Sequence, residues 1–494
     1  MLKTWRFHGG LRLPAHKHLS AHRPIVNAEL PKQLIYPLQQ RPGVQLKVTV
    51  TPGDIVLRGQ IIADSDHFLA TPLHAASSGT VKAIEDRIIP HPSGLSDPCI
   101  IIDTDGRDEA LPPEPVEDYR LEPAATLRAK IRQAGIVGLG GAAFPTSIKL
   151  NPGPQRHIDT LILNGAECEP YITCDNVLMQ TEPDAIVQGA LILMHALQVG
   201  DGIIAVEDHM TEAFEALSAA IEQSRDLRLT AVKIPALYPT GGEKQLIRVV
   251  TGKETPSGGI PADVGVICQN VGTAAAVYNA ICHGLPLTER VVTVTGQGVK
   301  QQQNMRARIG TPISDLIKQC GGYQDSVERL IMGGPMMGFA LPEDDIPIVK
   351  ATNCILAAAG SEVATSKETR PCIRCGDCAK ACPVDLLPQQ LYWHSRADNL
   401  EKCKEFSLFD CIECGCCEVV CPSQIPLVQY YRAAKSKTIA KAKEAEKAAI
   451  AKRRHDFLLE RKAREQAERA ERSRRKKEAL AKLKAAETAT EGAE

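Results

Sequence analysis

Apolar and polar residues alternate in short runs through the first hundred positions. From about 35 to 104 the runs QLKVTV, DIVLRGQIIA, GTVKAIED and CIIIDT are separated by PGD, TPLHA and SSG turns. A period of two puts one face of each strand inward, so residues 35–105 are expected to form a compact β domain. Residues 1–34 (FHGGLRLPAHKHLSAHRP within them) hold neither a helical nor a strand period and are expected to be an N-terminal extension wrapping the surface. An acidic, proline-rich stretch, GRDEALPPEPVEDYR, reads as a linker. Beyond it the rhythm changes. Helix-like PDAIVQGALILMHALQVG and TEAFEALSAAIEQS alternate with apolar strands at Leu161–Leu163, GIIAVE and LTAVKIPA, the order of an α/β sheet with helices packed on it.

The last segment, 431–494, has a third character. It holds 20 Lys+Arg against 11 Asp+Glu and is rich in Ala, Lys, Glu, Arg and Leu, all good helix formers. Phe457, Leu458 and Leu459 are the one run of consecutive large apolar residues in it, so a charged helical or partly disordered tail is expected, without a coiled-coil seam. Docking on anionic lipid or an acidic partner is the sharper possibility. The rest of the chain carries 38 basic against 48 acidic residues, which makes an acidic body with a basic tail. At 494 residues, 44% of them hydrophobic, several cores are expected and no run is long enough to span a bilayer. The tail lacks the aromatic or groove-reading residues of a nucleic-acid binder.

The chemistry is concentrated in cysteines. Cys372, Cys375, Cys378 and Cys382 precede Pro383, and Cys411, Cys414, Cys417 and Cys421 precede Pro422. The spacing C-x2-C-x2-C-x3-C-P, present twice, is the bacterial ferredoxin spacing for 4Fe-4S ligation, in which the fourth cysteine of each run ligates the other cluster. That crossing predicts one set of Cys372, Cys375, Cys378 and Cys421, and a second of Cys411, Cys414, Cys417 and Cys382, in a two-cluster domain over 366–430; Cys416 is spare. Zinc sites pair C-x2-C with a distant second pair, and clustered disulfides belong to small secreted chains. The remaining cysteines, odd in a total of 17, are expected to be buried thiols of a chain kept in a reducing compartment.

A second region is rich in glycine. Gly138, Gly140 and Gly141, followed by Phe144 and Lys149, could bring backbone N–H groups against a phosphate with Lys149 as counter-charge, or could simply make tight turns. No strand clearly precedes this loop. Downstream, the strand Leu161–Leu163 ends in Asn164, Glu167 and Glu169, at the kind of strand terminus that carries sites in α/β proteins. Tyr238 leads a further glycine turn opening a helix at Glu243, and Asn270 and Thr273 sit at another strand-to-helix turn, as helix caps or as ligand contacts.

GIVGLGGAAFPTSIK, LILNGAECEP, YPTGGEKQL and CQNVGTAAAV, in this order, resemble the FMN- and NADH-binding domain of the flavin subunit of respiratory complex I, here spanning 120–285. VVTVTGQGVKQQQNMRARIGTPISDLIKQCGG is similar to the soluble-ligand-binding β-grasp module of that family, over 286–345. The runs VTPGDIVLRGQIIA and ASSGTVKAI resemble the halves of a barrel-sandwich hybrid, without the carrier lysine at the tip. With the MGGPMMG turn at 332–338 and the twin cysteine motif, the whole order resembles the RnfC component of Rnf-type ion-translocating electron transport complexes.

That resemblance implies a multidomain α/β and α+β fold: a barrel-sandwich β domain, an α/β flavin-binding domain, a β-grasp module, a ferredoxin-like domain with two 4Fe-4S clusters and a helical charged tail. It implies FMN held by Gly138, Gly140, Gly141 and Lys149 at the phosphate, with Asn164, Glu167, Tyr238, Glu243, Asn270 and Thr273 around the rest of the molecule. Phe144 and Glu169 would face NADH. The sequence departs from the complex I pattern at Leu139, Ala166 and Lys244, and does not itself choose between NADH and NADPH. No residue is expected to act as catalytic acid or base.

The activity implied is that of a peripheral subunit of an ion-translocating NADH:ferredoxin-type oxidoreductase, on the cytoplasmic side of the inner membrane. Its expected partners are the membrane-embedded and peripheral subunits of the complex and a ferredoxin or similar redox protein. A soluble NAD(P)H dehydrogenase with iron-sulfur clusters and a non-enzymatic relay without flavin are the alternatives. Direction of electron flow, translocated ion and final acceptor are not legible.

Overall fold

The computed structural model describes residues 4–39, 43–153, 155–363 and 368–491, with side chains through 486. The first three residues of the expected N-terminal extension, the first two of the expected cluster domain and the last three of the tail lie outside them. The chain divides into two compact units, Met1–Gln390 with Phe409–Val428, and Leu391–Leu408 with Gln429–Glu494.

The first unit begins with the β domain. Gln33–Pro37, Ser96–Thr104, Gly79–Ile88 and Ile55–Val56 form one antiparallel sheet, and Lys47–Val48, Ile61–Asp64 and Leu73–His74 a second. Alternation fills the core between them: Leu34, Tyr36, Val56, Ile62, Ile100 and Ile102 all enter one cluster. The buried Tyr36 hydroxyl is not orphaned, since it accepts the Ala76 N–H at 2.8 Å.

Next comes a parallel sheet in the order Leu229–Ile234, Asp201–Glu207, Thr160–Gly165, Val266–Asn270. Leu161 and Leu163 point into the core shared with the helices Pro183–Leu197 and Val271–Cys282. Ile162 points the other way, beneath the helix Glu243–Thr251. Burial on both faces explains why these strands read as continuous apolar runs. The two helices on the first face approach closely at Gly189, where a Cβ would lie 1.9 Å from the Ala274 carbonyl oxygen. The carboxyl ends of the neighbouring strands Thr160–Gly165 and Val266–Asn270 place Asn164 and Asn270 side by side in register.

A six-stranded mixed sheet follows, in the order Ile25–Asn27, Gln303–Arg308, Glu289–Thr295, Cys354–Ala359, Val327–Met332, Phe339–Ala340. It is wider than the span 286–345. Cys354–Ala359 lies in its middle, and Ile25–Asn27 from the N-terminal segment adds an edge strand parallel to Gln303–Arg308. The N-terminal segment therefore does more than wrap the surface as expected: it also buries Lys17 and Ser20, at 8% and 0% exposure.

The cysteine motifs fold as a repeat. Arg374 and Glu413 have φ of 60° and 58°, Gly376 and Gly415 of 83° and 80°, Asp385 and Gln424 of 53° and 52°. Each pair is separated by the same interval as Cys372 and Cys411, so the duplication in sequence is a duplication of backbone turns. Gly376 and Gly415 each start a short helix, Asp377–Ala381 and Cys416–Val419, in the left-handed region that glycine enters without steric cost.

In the second unit Leu400–Glu405 and, from Gln429 on, the long helix Leu427–Glu491 are the main elements. Tyr392 and Tyr430 meet edge to face at 4.9 Å, and Lys437 pairs with Asp398 at 2.7 Å. Beyond Thr438 the described side chains of this helix are exposed. At 1.5 Å per residue the helix is on the order of 100 Å long. Among the described residues no helix is long and apolar enough to cross a membrane.

Candidate functional site

The glycine loop follows the helix Ala124–Gln133, and the short helix Thr146–Lys149 closes it. The Gly138 N–H donates to the Phe144 carbonyl at 2.8 Å and the Leu139 N–H to the Thr273 hydroxyl at 2.9 Å. The N–H groups of Gly140, Gly141 and Ala142 find no acceptor among the described residues. Gly140 and Gly141 are exposed. At φ 106° Gly141 occupies a conformation open to glycine alone, and a Cβ there would meet nothing. A row of unsatisfied donors in an open glycine turn is what an anionic group needs.

Asn270 and Thr273 lie beneath this loop. The Asn270 carboxamide oxygen accepts the Gly272 and Thr273 N–H groups at 2.9 and 3.3 Å, so it caps the helix Val271–Cys282. Its amide nitrogen donates to Asp175 at 2.6 Å. Asn270 is thus the helix cap, whereas the Thr273 hydroxyl serves the loop; the cap fixes the geometry beside Gly140, whose Cβ would stand 3.5 Å from the Asn270 side chain. At the other end of the loop the Lys149 ammonium bonds the Glu243 carboxylate at 2.5 Å and the Cys268 carbonyl at 3.0 Å. An anion arriving there shares the ammonium with Glu243. Asn164 donates to the Gly241 carbonyl at 2.9 Å and accepts the Ala166 N–H, tying the strand end to the second glycine turn.

Two acidic residues face elsewhere than expected. The Glu167 carboxylate is 6% exposed and accepts the N–H of Asp175 at 2.9 Å and of Asn176 at 3.4 Å, at the start of the helix Cys174–Thr181. A buried carboxylate satisfied by a helix N-terminus is held, not offered to a ligand. The Glu169 carboxylate accepts the N–H groups of Met336 and Met337 at 3.2 and 2.8 Å, which fastens the MGGPMMG turn. Burial pushes its pKa up to about 7 against the pull of those two donors and of Lys17. Gly334 lies close beside it: a Cβ there would fall 2.2 Å from the carboxylate, which would have to shift.

Tyr238 turns toward the cysteines. It is 3% exposed and donates its hydroxyl to the Cys414 carbonyl at 2.7 Å, in a cluster with Ala381 and Cys416. Burial raises the Cys417 pKa, with Cys411, Cys414, Cys382 and Cys378 adding to it, and burial likewise raises that of Cys378, with smaller contributions from Cys375 and Cys372. Cys382, Cys414 and Cys417 are 7–8% exposed, whereas Cys375 is exposed and Cys372, Cys378 and Cys421 are intermediate.

Two positions had no signal in the sequence. Lys17 donates to the carbonyls of Glu167, Ile172 and Glu169 at 2.5, 2.6 and 3.2 Å and lies 3.8 Å from the Glu167 carboxylate. Arg290, buried on a strand of the six-stranded sheet, donates to the carbonyls of Lys350 and Leu139, the latter at 3.0 Å, and so braces the glycine loop. In a segment without period, or on a strand where a charged residue reads as solvent-facing, neither could be singled out.

Four family models match in order: an RnfC barrel-sandwich hybrid domain over 5–107, a Nuo51 FMN-binding domain over 131–279, an SLBB domain over 291–340 and a 4Fe-4S dicluster domain over 371–425. This order defines a multidomain chain that combines a flavin-type domain with a 4Fe-4S dicluster domain. Relatives named as the RnfC-type component of an ion-translocating oxidoreductase complex match at 48% identity over 409 residues in Vibrio cholerae, covering 83% of this chain and 52% of that one. In Pectobacterium atrosepticum the match is 48% over 465 residues, 94% of this chain and 66% of that one; in Pseudomonas aeruginosa it is 45% over 404 residues, 82% and 52%. The chain belongs to this RnfC family of ion-translocating oxidoreductase components. It spans between about half and two thirds of the length of these curated relatives. Among solved structures, an air-oxidized NAD+-reducing [NiFe]-hydrogenase overlaps with a TM-score of 0.45 at 20% identity, over 58% of this chain and 56% of that one.

Proposed function

We propose that the chain is the peripheral electron-input subunit of a membrane-bound ion-translocating oxidoreductase. It exchanges electrons with NADH on one side and with two 4Fe-4S clusters on the other. The observation that carries this is the contact between Tyr238, on the second glycine turn of the α/β domain, and Cys414, in a cluster loop. Gly138, Gly140, Gly141 and Lys149 would hold the phosphate of FMN. Asn164, Tyr238, Glu243, Asn270 and Thr273 would surround the remainder, with Phe144 toward the nicotinamide nucleotide. Glu167 and Glu169 act from behind, one ordering a helix start and the other fixing a turn.

Bound FMN supplies the chemistry the side chains lack, taking two electrons as hydride and yielding them singly to one-electron centres. The protein residues orient and shield. No side chain in the region needs to move a proton to a substrate, so none is assigned as catalytic. Cys372, Cys375, Cys378 and Cys421 would ligate one cluster, and Cys411, Cys414, Cys417 and Cys382 the other. Membrane-embedded subunits of the same complex and a ferredoxin-like protein are the proposed partners, met on the cytoplasmic face of the inner membrane.

The test is anaerobic purification followed by NADH titration. Flavin with about eight irons per chain, and bleaching of both chromophores by NADH, is expected. Iron without flavin would leave a relay, and flavin and clusters without membrane partners would leave a soluble dehydrogenase.

A further inference from the structure

Behind the glycine loop, residues of the β domain, the parallel-sheet domain and the six-stranded sheet enclose a cavity of about 620 Å3, a volume typical of small-molecule sites. Leu139, 6% exposed, closes it toward the loop, whereas Gly140, Gly141, Lys149 and Glu243 lie outside its lining. The acidic linker is its lip. The Arg58 N–H donates to the Glu109 carbonyl at 2.8 Å and the Leu111 N–H to the Arg58 carbonyl at 2.9 Å, while the Val116 N–H reaches the Ile281 carbonyl at 2.7 Å. Between these ties the exposed Leu111, Pro112 and Glu114 border the cavity.

One wall is smooth. Gly272, Ala275, Ala276, Asn279 and Ala280 follow one side of the helix Val271–Cys282 at helical spacing, and none of them is large and apolar. A flat ring can lie against such a face. Another part of the wall is cationic. Arg306 pairs with Glu182 and, at 3.5 Å, with Glu289; Arg308 pairs with Glu289 and Asp108 at 2.8 Å each, and Arg58 with Asp108 at 3.0 Å. These guanidiniums and carboxylates balance one another. Arg290 and Lys130, also in the lining, have no carboxylate at ion-pair distance among the described residues. Arg290 is 5% exposed and donates only to the carbonyls of Leu139, Lys350 and Val291. A buried cation without a counter-charge is costly, and an anion in the cavity supplies one.

Two further groups in the lining bear on what enters. Asp175 is engaged by the Asn270 amide at 2.6 Å, and burial with the nearby Glu167 pushes its pKa up to about 7, which weakens its repulsion of an anion. His74 is 4% exposed, and burial with Lys350 nearby pushes its pKa down to about 3, so the ring is neutral. Its Nδ1 is buried without a partner among the described residues, and such an atom calls for a hydrogen-bond donor.

We infer that this cavity is a binding site for a small planar aromatic acid. The ring lies on the face of Ala275, Ala276 and Ala280, the carboxylate is drawn by Arg290 and Lys130, and a hydroxyl or amino hydrogen on the ring serves His74. The site is separate from the open side of the glycine loop and does not depend on what that loop holds.

The test is calorimetric titration of the full chain, purified without oxygen, with 6-hydroxy-2-naphthoate. Saturable binding of one equivalent is expected, and free FMN or NADH should not displace it. 2-Naphthol, which lacks the acid, should bind at least about tenfold more weakly, the loss expected for a hydrogen bond to a charged group. No saturable binding of the acid up to about 1 mM, equal affinity for 2-naphthol, or displacement by FMN or NADH overturns the proposal. Ala276→Phe, which fills the space against the smooth wall, should abolish binding with the thermal midpoint and flavin content of the native chain retained; undiminished binding overturns the site. Should that variant fail to fold, Lys130→Gln serves. It should weaken binding several-fold, and native affinity in it overturns the proposal.

Discussion

The Lys17 ammonium stands 2.5 Å from the main-chain carbonyl of Glu167 and 3.8 Å from its carboxylate. One cation from the N-terminal segment thus fixes both the backbone and the charge of a residue at the end of a central strand. Because Glu167 in turn orders the start of the helix Cys174–Thr181, Lys17 governs the loop between strand and helix.

Lys17→Met should therefore be severe. It leaves a buried carboxylate without its countercharge and three carbonyls without their side-chain donor, a loss of about 3–5 kcal/mol for a broken buried pair. Urea unfolding should show a lower midpoint, and flavin content after gel filtration should fall with it. An unchanged midpoint would mean that water replaces the ammonium at no cost.

Glu169 makes stability depend on pH. Its folded pKa, about 7, lies above the ordinary 4.5. Between those values the folded protein keeps a proton that the unfolded chain has lost, so this residue's contribution declines as pH rises from about 4.5 to about 7 and is level below that window. Burial raises Glu207 to about 7 in the same way. Glu169→Gln, which cannot ionise, should flatten part of the slope in thermal unfolding between pH 5 and 7, taken as approximate bounds of the linkage window. Identical slopes for both proteins would rule the assignment out.

Gly189→Ala tests the packing of the parallel sheet's helices. A methyl group has to push away the Ala274 carbonyl, 1.9 Å from the built Cβ, and overpacking of this kind costs about 1–3 kcal/mol. The denaturant midpoint should drop with the slope of the transition preserved.

The exposed helix beyond Thr438 invites truncation. Removing residues 441–494 deletes described side chains that are exposed, so thermal stability of the remainder should hold within about 0.5 kcal/mol. Co-sedimentation with anionic vesicles should weaken, and for the full chain should decline with added salt as the charges are screened. Undiminished, salt-insensitive sedimentation would remove lipid electrostatics as the role of this segment.

Local rules made much of this molecule legible. The twin cysteine spacing appears as a twin set of backbone turns, with Gly376 and Gly415 at matching φ. The apolar runs at Leu161–Leu163 and GIIAVE became neighbouring parallel strands because burial on both faces leaves a continuous signature, and LTAVKIPA pairs at the edge beside them with Thr230 and Lys233 exposed. What stayed hidden depends on partners far away in the chain. Cys354–Ala359 is a central strand of small apolar residues whose place is set by pairing with Glu289–Thr295 and Val327–Met332. Ile25–Asn27 is a strand only because Gln303–Arg308 offers an edge. Glu167 and Glu169 could be placed near the site but not aimed, since the N–H groups that orient them belong to Asp175, Asn176, Met336 and Met337.

The N-terminal strap has a consequence for assembly. His8 and the Cys382 carbonyl it contacts are 374 residues apart, and Leu11 needs Tyr238 already in place. The His8 contact must therefore wait until Cys382 has been synthesised, after the partners of Lys17 and Leu11, and contacts this distant form late. Laying it down covers the backbone at Ala381 and Cys382, so anything that enters this loop from that side has to arrive before the strap is tied.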